Sequence, residues 1–105
     1  MMDQIKLGFI GLGGRGAGLA ALVADMADVH IAAVCDVYQD RVDKTIERLA
    51  AKQAHPPEGY LDYRQLLARG DLQGVVIASS WTTHVEISLA AMRAGIYAAS
   101  EVGGA

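Results

Sequence analysis

The sequence has little cysteine, few aromatic side chains and no marked excess of charge of either sign. Cys35 is the only cysteine, so an internal disulfide is excluded, which agrees with a reducing compartment. With 9 basic and 12 acidic residues, the net charge of −3 gives no general attraction to nucleic acid or to an anionic membrane. No apolar run reaches the length of a membrane span, and the first residues lack the pattern of a secretory signal. We therefore expect a cytoplasmic protein with no nucleic-acid or membrane partner.

Apolar residues are plentiful, at 52% of 105 residues, which is enough for one domain with its own core. Short continuous apolar runs alternate with segments in which apolar residues recur at helical spacing. Because the stronger runs are apolar on both faces, they indicate a parallel sheet covered by helices on each side. The prediction is an α/β doubly wound parallel sheet with right-handed crossovers and strand order 3-2-1-4-5. The predicted strands are Ile5–Ile10, Val29–Cys35, Gly59–Leu61, Val75–Ser79 and Ile96–Ser100.

Apolar residues three and four positions apart predict the face of each helix that packs on the sheet. Asp62 is expected to cap the start of the third helix, and Gly95 to end the fourth. The predicted faces are Leu19, Leu22, Val23 and Met26 in the first helix, Val42, Ile46 and Leu49 in the second, Leu66 and Leu67 in the third, and Val85, Leu89 and Met92 in the fourth.

A glycine-rich turn follows the first strand and matches G-x-G-x-x-G, with the residues Gly11-Leu12-Gly13-Gly14-Arg15-Gly16. Gly11 permits a sharp turn, Gly13 lets a diphosphate approach the backbone, and Gly16 lets the helix pack close to the strand. The free N–H groups at the start of that helix point at the phosphates. Alone, the motif is also compatible with a purely structural turn. Arg15 is either a partner of the diphosphate or an exposed side chain.

An acidic residue, Asp36, ends the second predicted strand, 20 positions after Gly16. An acid there reaches the hydroxyls of an adenosine ribose, and its charge disfavours the 2′-phosphate of NADP. Together the two features predict a Rossmann-type dinucleotide-binding domain over residues 1–105 that prefers NAD to NADP. Asp36 could also cap the helix that begins near Tyr38, and neither role excludes the other. Arg41 is either a solvated helix residue or a side chain that lies over the adenine and softens this preference.

The order and spacing of these motifs resemble the Gfo/Idh/MocA family of nucleotide-dependent sugar and polyol oxidoreductases. The matching stretches are Ile5–Gly16, Val34–Asp36 with Arg41, Tyr63–Leu67, Val75–His84 and Gly95. The family usually ends its fourth strand in A-T-P-N-x-x-H, and residues 78–84 keep the alanine and the histidine.

The resemblance implies that the loop after the fourth strand lies along the cofactor near the nicotinamide, with Ser79, Trp81 and His84 as cofactor-binding residues. Trp81 stands where the family has asparagine. It is either a wall of the nicotinamide or substrate pocket, or a half-buried side chain beside the loop. His84 is expected to bond backbone groups in the turn and not to act as a catalytic base.

The segment after the fifth strand departs from the family, which usually carries E-K-P there. Glu101 matches and is expected at the cofactor, but Val102 replaces the lysine that helps to hold the substrate and the nicotinamide ribose. The E-V ending looks closer to NAD-dependent glycosidases related to the family, which use the cofactor in a transient oxidation and elimination. The resemblance implies the NAD-binding domain of a sugar or polyol oxidoreductase. The alternatives are the cofactor domain of an NAD-dependent glycosidase or a non-catalytic nucleotide-sensing domain.

The family also has a second, larger α+β domain that supplies the catalytic acid or base and most of the substrate pocket. We therefore expect this chain to be an N-terminal fragment, inactive alone, that meets its sugar or polyol substrate through the missing domain. The sequence assigns no catalytic residue and no metal ligand. Because the last predicted strand would leave an apolar edge bare, we expect a homo-oligomer joined near residues 96–105 or formed by exchange of that segment.

Overall fold

Each short apolar run of the sequence forms a strand of one sheet in the computed structural model, which describes residues 4–26, 28–78 and 81–100. The strands are β1 (Ile5–Ile10), β2 (Val29–Cys35), β3 (Glu58–Tyr60), β4 (Gly74–Ile77) and β5 (Tyr97–Ser100). The helices are α1 (Gly14–Ala24), α2 (Gln39–Ala50), α3 (Tyr63–Leu67) and α4 (Trp81–Arg93). Within the described ranges, no helix is long and apolar enough to cross a bilayer.

The sheet is parallel throughout, in the order β3-β2-β1-β4-β5. Helices α1 and α2 cover one face, and α3 and α4 cover the other, so each face has its own apolar cluster. The predicted α/β fold and strand order are confirmed. Side chains at the centre of the two clusters include Phe9, Ile31, Val34 and Leu49 on one face, and Leu66, Val75, Ile77 and Ile87 on the other.

The predicted core face is partly wrong for α1. Leu22 and Met26 are 69% and 54% exposed, although Leu19 and Val23 do pack against the core. The residues buried in the contact are small alanines, including Ala20 and Ala24. Short side chains let a helix lie close to a sheet, so alanines can form the buried face. A search for large apolar residues therefore places the core-facing side of α1 a fraction of a turn away from its true position.

The predicted face of α4 is wrong for the same reason. Val85, Leu89 and Met92 are 60%, 47% and 67% exposed, whereas Ile87 and Ala91 are buried against the sheet. The sequence offers two apolar stripes on this helix, and periodicity alone selects the one with the larger side chains. The faces of α2 and α3 agree with the prediction, with Val42, Leu49, Leu66 and Leu67 buried.

Both predicted helix ends are confirmed. Asp62 accepts a hydrogen bond of 2.9 Å from the backbone N–H of Arg64, which caps α3. Gly95 has φ of 76°, a left-handed conformation that favours glycine. Its N–H donates to the carbonyl of Met92, and that of Ile96 donates back to Ala91. This pair of bonds is a Schellman motif and fixes the direction in which the chain enters β5.

A matched pair of leucine substitutions tests the packing of the helices. Leu49→Ala removes a fully buried side chain and should lower the free energy of unfolding by about 2–5 kcal/mol. Leu22→Ala removes an exposed side chain of the same size and should change it by no more than about 0.5 kcal/mol. Urea denaturation of both variants measures the difference, and equal losses would show that the outer face of α1 is buried.

Candidate dinucleotide-binding site

A cavity of about 680 Å³ opens at the carboxyl ends of the strands. It lies at the point where the order of the strands switches sides. The chain runs from β1 outward to β2 and β3 on one side, and then returns to place β4 and β5 on the other side of β1. Ligands of doubly wound sheets bind at such a point. The residues that line the cavity include Gly11, Gly13, Asp36, Tyr38, Arg41 and Ala78.

The glycine turn has the geometry that its three key glycines require. Gly11 has φ of 97°, which turns the chain off β1, and its N–H donates to the carbonyl of Cys35 over 2.9 Å. A Cβ on Gly16 would lie only 2.0 Å from the carbonyl oxygen of Gly11, so no other residue fits without moving the backbone. At Gly13 the nearest atom to such a Cβ is Nη1 of Arg41, at 3.7 Å.

Gly13 and Gly16 differ in what surrounds the position that a Cβ would occupy. Gly16 lacks a Cβ because protein backbone occupies the space, whereas a Cβ on Gly13 would meet only the Arg41 guanidinium, at 3.7 Å, and Gly13 lines the cavity. Gly13 is also the N-cap of α1 and, being glycine, has no side chain that could cap the helix. The first N–H groups of a helix have no acceptor within the helix. This end of α1 therefore presents donors and a positive dipole end beside a cradle that a Cβ would fill.

The carboxylate of Asp36 joins the ends of the first two strands. Its Oδ2 accepts a buried hydrogen bond of 2.7 Å from the backbone N–H of Leu12, and Oδ1 accepts one of 3.0 Å from that of Tyr38. Asp36 is only 8% exposed. The contact with Tyr38 orders the approach to α2 but does not cap this helix, because α2 begins at Gln39 and its N-cap, Tyr38, has no side-chain cap bond. The bond to Leu12, between residues 24 positions apart, was not foreseen from the sequence.

Arg41 reaches from the first turn of α2 to the mouth of the cavity. Its Nη1 lies 3.7 Å from Oδ2 of Asp36, and its guanidinium lies 4.7 Å from the centre of the Tyr38 ring. The side chain is 46% exposed. The structure thus places Arg41 at the site, in contact with the acidic residue and near Gly13.

The other predicted site residues lie at the turn, at the start of α1 or α4, or outside the described residues. Leu12 packs its side chain into the core, so only its backbone faces the turn. Gly14 and Arg15 begin α1, and the Arg15 side chain lies outside the described part. Trp81 and His84 lie in the first turn of α4, again without described side chains, and Ser79 and Glu101 fall outside the described residues.

Sequence reasoning missed the apolar end of the cavity. Val37 and Leu61 line it although they are 76% and 48% exposed, and Tyr63 lines it beside them. Their position in the sequence could have indicated them, because each follows the end of β2 or β3. The loops at these strand ends are where parallel sheets bind ligands. Together they add apolar side chains to the lining of the cavity.

Cys35 lines the cavity but is chemically quiet. Burial, reinforced by the nearby charges of Asp36 and Asp62, raises the pKa of its thiol to about 12. The sulfur is therefore protonated near neutral pH and is a poor nucleophile. In the described ranges no three His, Cys, Asp or Glu side chains form a group that could hold a metal ion.

Comparison with known proteins identifies the family. The family model described as an oxidoreductase family with an NAD-binding Rossmann fold, GFO_IDH_MocA, matches residues 5–101. The chain belongs to the Gfo/Idh/MocA oxidoreductase family. The sequence-based assignment to an NAD-binding domain of this family is confirmed.

Individual Gfo/Idh/MocA relatives are similar over nearly the whole chain. An α-N-acetylgalactosaminidase from Shewanella oneidensis is 32% identical over 96% of this chain and 23% of its own length. A scyllo-inositol dehydrogenase from Lactobacillus casei, solved with NAD(H) and scyllo-inositol, is 25% identical with a TM-score of 0.85, over 95% of this chain and 28% of that one. A 3-ketoreductase from Actinomadura kijaniata, solved with TDP-benzene and NADP, is 25% identical with a TM-score of 0.77, over 96% and 31%. The chain thus spans 23% to 31% of the length of these proteins.

Removal of the Asp36 carboxylate tests its structural role. Asp36→Ala leaves the buried N–H of Leu12 without its acceptor and should lower the free energy of unfolding by about 1–3 kcal/mol. Glu47→Ala removes an exposed carboxylate from α2 and serves as the control, with an expected change below about 0.5 kcal/mol. Chemical denaturation compares the two. An Asp36→Ala protein as stable as the control would show that the carboxylate does not hold the turn.

Proposed function

We propose that the cavity at the carboxyl ends of β1, β2 and β4 is where this domain binds NAD. The observation that most supports this proposal is the space at Gly13. It lies at the start of α1 and beside the buried carboxylate of Asp36. A diphosphate needs close approach to backbone donors, and an adenosine ribose needs an acceptor for its hydroxyls. The turn and the carboxylate offer these two features side by side.

Each part of the cavity then has a distinct task. The N–H groups at the start of α1 donate to the diphosphate, supported by the helix dipole. Each carboxylate oxygen has two acceptor positions, and one backbone N–H occupies each oxygen of Asp36. The carboxylate therefore keeps capacity to accept from the ribose hydroxyls. Val37, Leu61 and Tyr63 give the adenine an apolar surface.

The nicotinamide half of the cofactor is assigned to the other side of the glycine turn. There we propose contacts from Arg15 to the diphosphate, and from Ser79, Trp81, His84 and Glu101 toward the nicotinamide. The position of Trp81 and His84 at the start of α4, which follows β4 directly, supports this arrangement. When bound, the nicotinamide supplies a hydride acceptor, and these residues would orient it and exclude water.

For the whole protein we propose an NAD-dependent oxidoreductase that acts on a sugar or polyol, with this chain as its N-terminal cofactor domain over residues 1–105. The family match supports it, as does the likeness to an inositol dehydrogenase solved with NAD(H). The substrate and the catalytic acid or base would lie in a second domain. By itself the cofactor domain would not turn over substrate, because catalysis needs an acid or base positioned against a bound substrate.

A second candidate is an NAD-dependent glycosidase. It is favoured by the relative at 32% identity, an α-N-acetylgalactosaminidase, and by Val102, which cannot replace a charged lysine. Both candidates use the same cofactor site. They differ in whether the hydride leaves with the nicotinamide or returns to the sugar within one turnover.

One assay of the intact protein separates the candidates. With NAD and a panel of free sugars, polyols and aryl glycosides, an oxidoreductase should accumulate NADH in proportion to product. A glycosidase should release the aglycone with NAD required but not consumed. Neither activity, with NAD binding intact, would favour a nucleotide-sensing domain instead.

We further propose a homo-oligomer in the cytoplasm. The single cysteine suits a reducing compartment. In the described part of the sheet β5 is an edge strand, and Tyr97 on it is 77% exposed. An apolar edge strand favours pairing with another copy. Light scattering should give at least twice the monomer mass, and a monodisperse monomer would refute the association.

A glycine substitution tests the cofactor site directly. Gly13→Val places a side chain in the open cradle and should weaken NAD binding by roughly tenfold or more. Gly18→Val is the matched control, because Gly18 lies in α1 with no atom within 4 Å of an added Cβ. Calorimetric titration of the intact protein gives both affinities, with circular dichroism as a check of folding. An unchanged affinity for Gly13→Val would place the cofactor elsewhere.

A further inference from the structure

The amino ends of the strands carry a second cavity, at the edge of the sheet opposite the proposed cofactor site. It has a volume of about 300 Å³, and its lining includes His30, near the start of β2, and His55, in the segment that follows α2. We propose that these two side chains, the histidine pair, bind a divalent transition-metal cation of the copper, nickel and zinc class. Among the described residues the two cavities share no lining side chain, so this proposal is independent of the proposed function.

The two imidazole rings lie at a distance that one ion can span. A ring nitrogen binds zinc at about 2.0–2.1 Å, so two imidazoles on the same ion have ring centres roughly 5–6 Å apart. The ring centres of His30 and His55 are 6.3 Å apart, with the ring planes nearly perpendicular at 87°. Because His55 is exposed, rotation of its side chain can turn a ring nitrogen toward the ion without disturbing the core.

The backbone segments that carry the two histidines are already joined. The side chain of Gln53 accepts a hydrogen bond of 3.2 Å from the N–H of Ile31 and donates one of 2.8 Å to the Ile31 carbonyl. The same amide donates to the carbonyl of His55 over 2.9 Å. Gln53 thus ties the segment of His55 to the strand residue next to His30. A site that is held in this way loses less conformational freedom on binding than one built from two mobile segments.

The imidazole of His30 is kept in the form that binds metals. A histidine ligand must be neutral, and burial, reinforced by the nearby basic groups of His55, Lys6 and Arg69, lowers the pKa of His30 below its ordinary value. Neutral imidazole suits copper, nickel and zinc, whereas calcium and magnesium prefer oxygen ligands. Among the described residues no third His, Cys, Asp or Glu completes a metal-binding group with the pair, so water would complete the coordination.

The basic side chains around the histidine pair do not leave an excess of positive charge that would repel a cation. Three cations near the pair contact three carboxylates: Lys6, Lys52 and Arg69 with Asp25, Glu58 and Asp71. The contacts Lys52–Asp25 and Arg69–Asp71 are each 2.8 Å long. Because these charges balance, the surroundings favour a metal ion on neutral imidazoles over an anion held by basic groups.

Calorimetric titration of the intact protein with Zn²⁺, without a histidine tag, tests the site. One ion per chain should bind at the pair. His30→Ala and His55→Ala should each weaken that binding by roughly tenfold or more, because each removes one of the two protein ligands. His84→Ala is the matched control and should leave the Zn²⁺ affinity unchanged, since α4 begins at the opposite edge of the sheet. Circular dichroism checks the folding of each variant.

Two further measurements distinguish a metal site from a pair of histidines with a structural role alone. Cu²⁺ should bind more tightly than Zn²⁺, and its electron paramagnetic resonance spectrum should show two coordinated nitrogens that fall to one in His55→Ala. Zn²⁺ should also raise the thermal midpoint of the unaltered protein but not that of His55→Ala, because an ion that binds only the folded state stabilises it.

Three results would overturn the proposal. The first is that neither Zn²⁺ nor Cu²⁺ binds the unaltered protein. The second is an affinity that both histidine variants leave unchanged, which would place the ion elsewhere. The third is a loss in His84→Ala as large as that in His55→Ala, which would show nonspecific binding to histidines. Because His55 is exposed, His55→Ala decides the test even if His30→Ala fails to fold.

Discussion

The hydrogen bond from the Leu12 N–H to the carboxylate of Asp36 joins the two halves of the site. It is buried, 2.7 Å long, and links the turn after β1 to the end of β2. The neighbouring bond from Gly11 to the carbonyl of Cys35 continues the ladder between these strands up to the turn. Because the turn directs α1, this short span sets where the helix N-terminus points. The same carboxylate thus stabilises the fold and, in the proposed site, is the acceptor for a ribose hydroxyl.

The fold prepares the rest of the site around that connection. Gly16 lets α1 approach the backbone of Gly11, and Ala20 and Ala24 continue the close contact along the sheet. A helix held this near to β1 brings its first N–H groups over the carboxyl ends of the strands. In the proposed site, small residues in α1 would therefore contribute to cofactor binding without contacting the cofactor, because they determine the position of the helix end that would bind the diphosphate.

The sequence predicts the sheet well because continuous apolar runs and glycine turns are local signals. It also predicts that Asp36 lies beside the glycine turn. The number of residues between the two is fixed by the unit of two strands and one helix to which both belong. The predicted core-facing side is partly wrong for α1 and wrong for α4, because alanine contacts carry little weight in a search for large apolar residues. The sequence could not decide whether Arg41 is a solvated side chain or lies at the site. Its stacking on Tyr38 and its proximity to Gly13 arise only when α2 has packed on the sheet.

The central claim is that the turn at residues 11–16 and Asp36 bind one dinucleotide together. A crystal structure of the intact protein with NAD measures this directly. The account predicts the diphosphate at hydrogen-bond distance, about 3 Å, from the first N–H groups of α1, with a ribose hydroxyl at the same distance from Asp36. Electron density for the dinucleotide away from the glycine turn, or a ribose that does not contact Asp36, would contradict it.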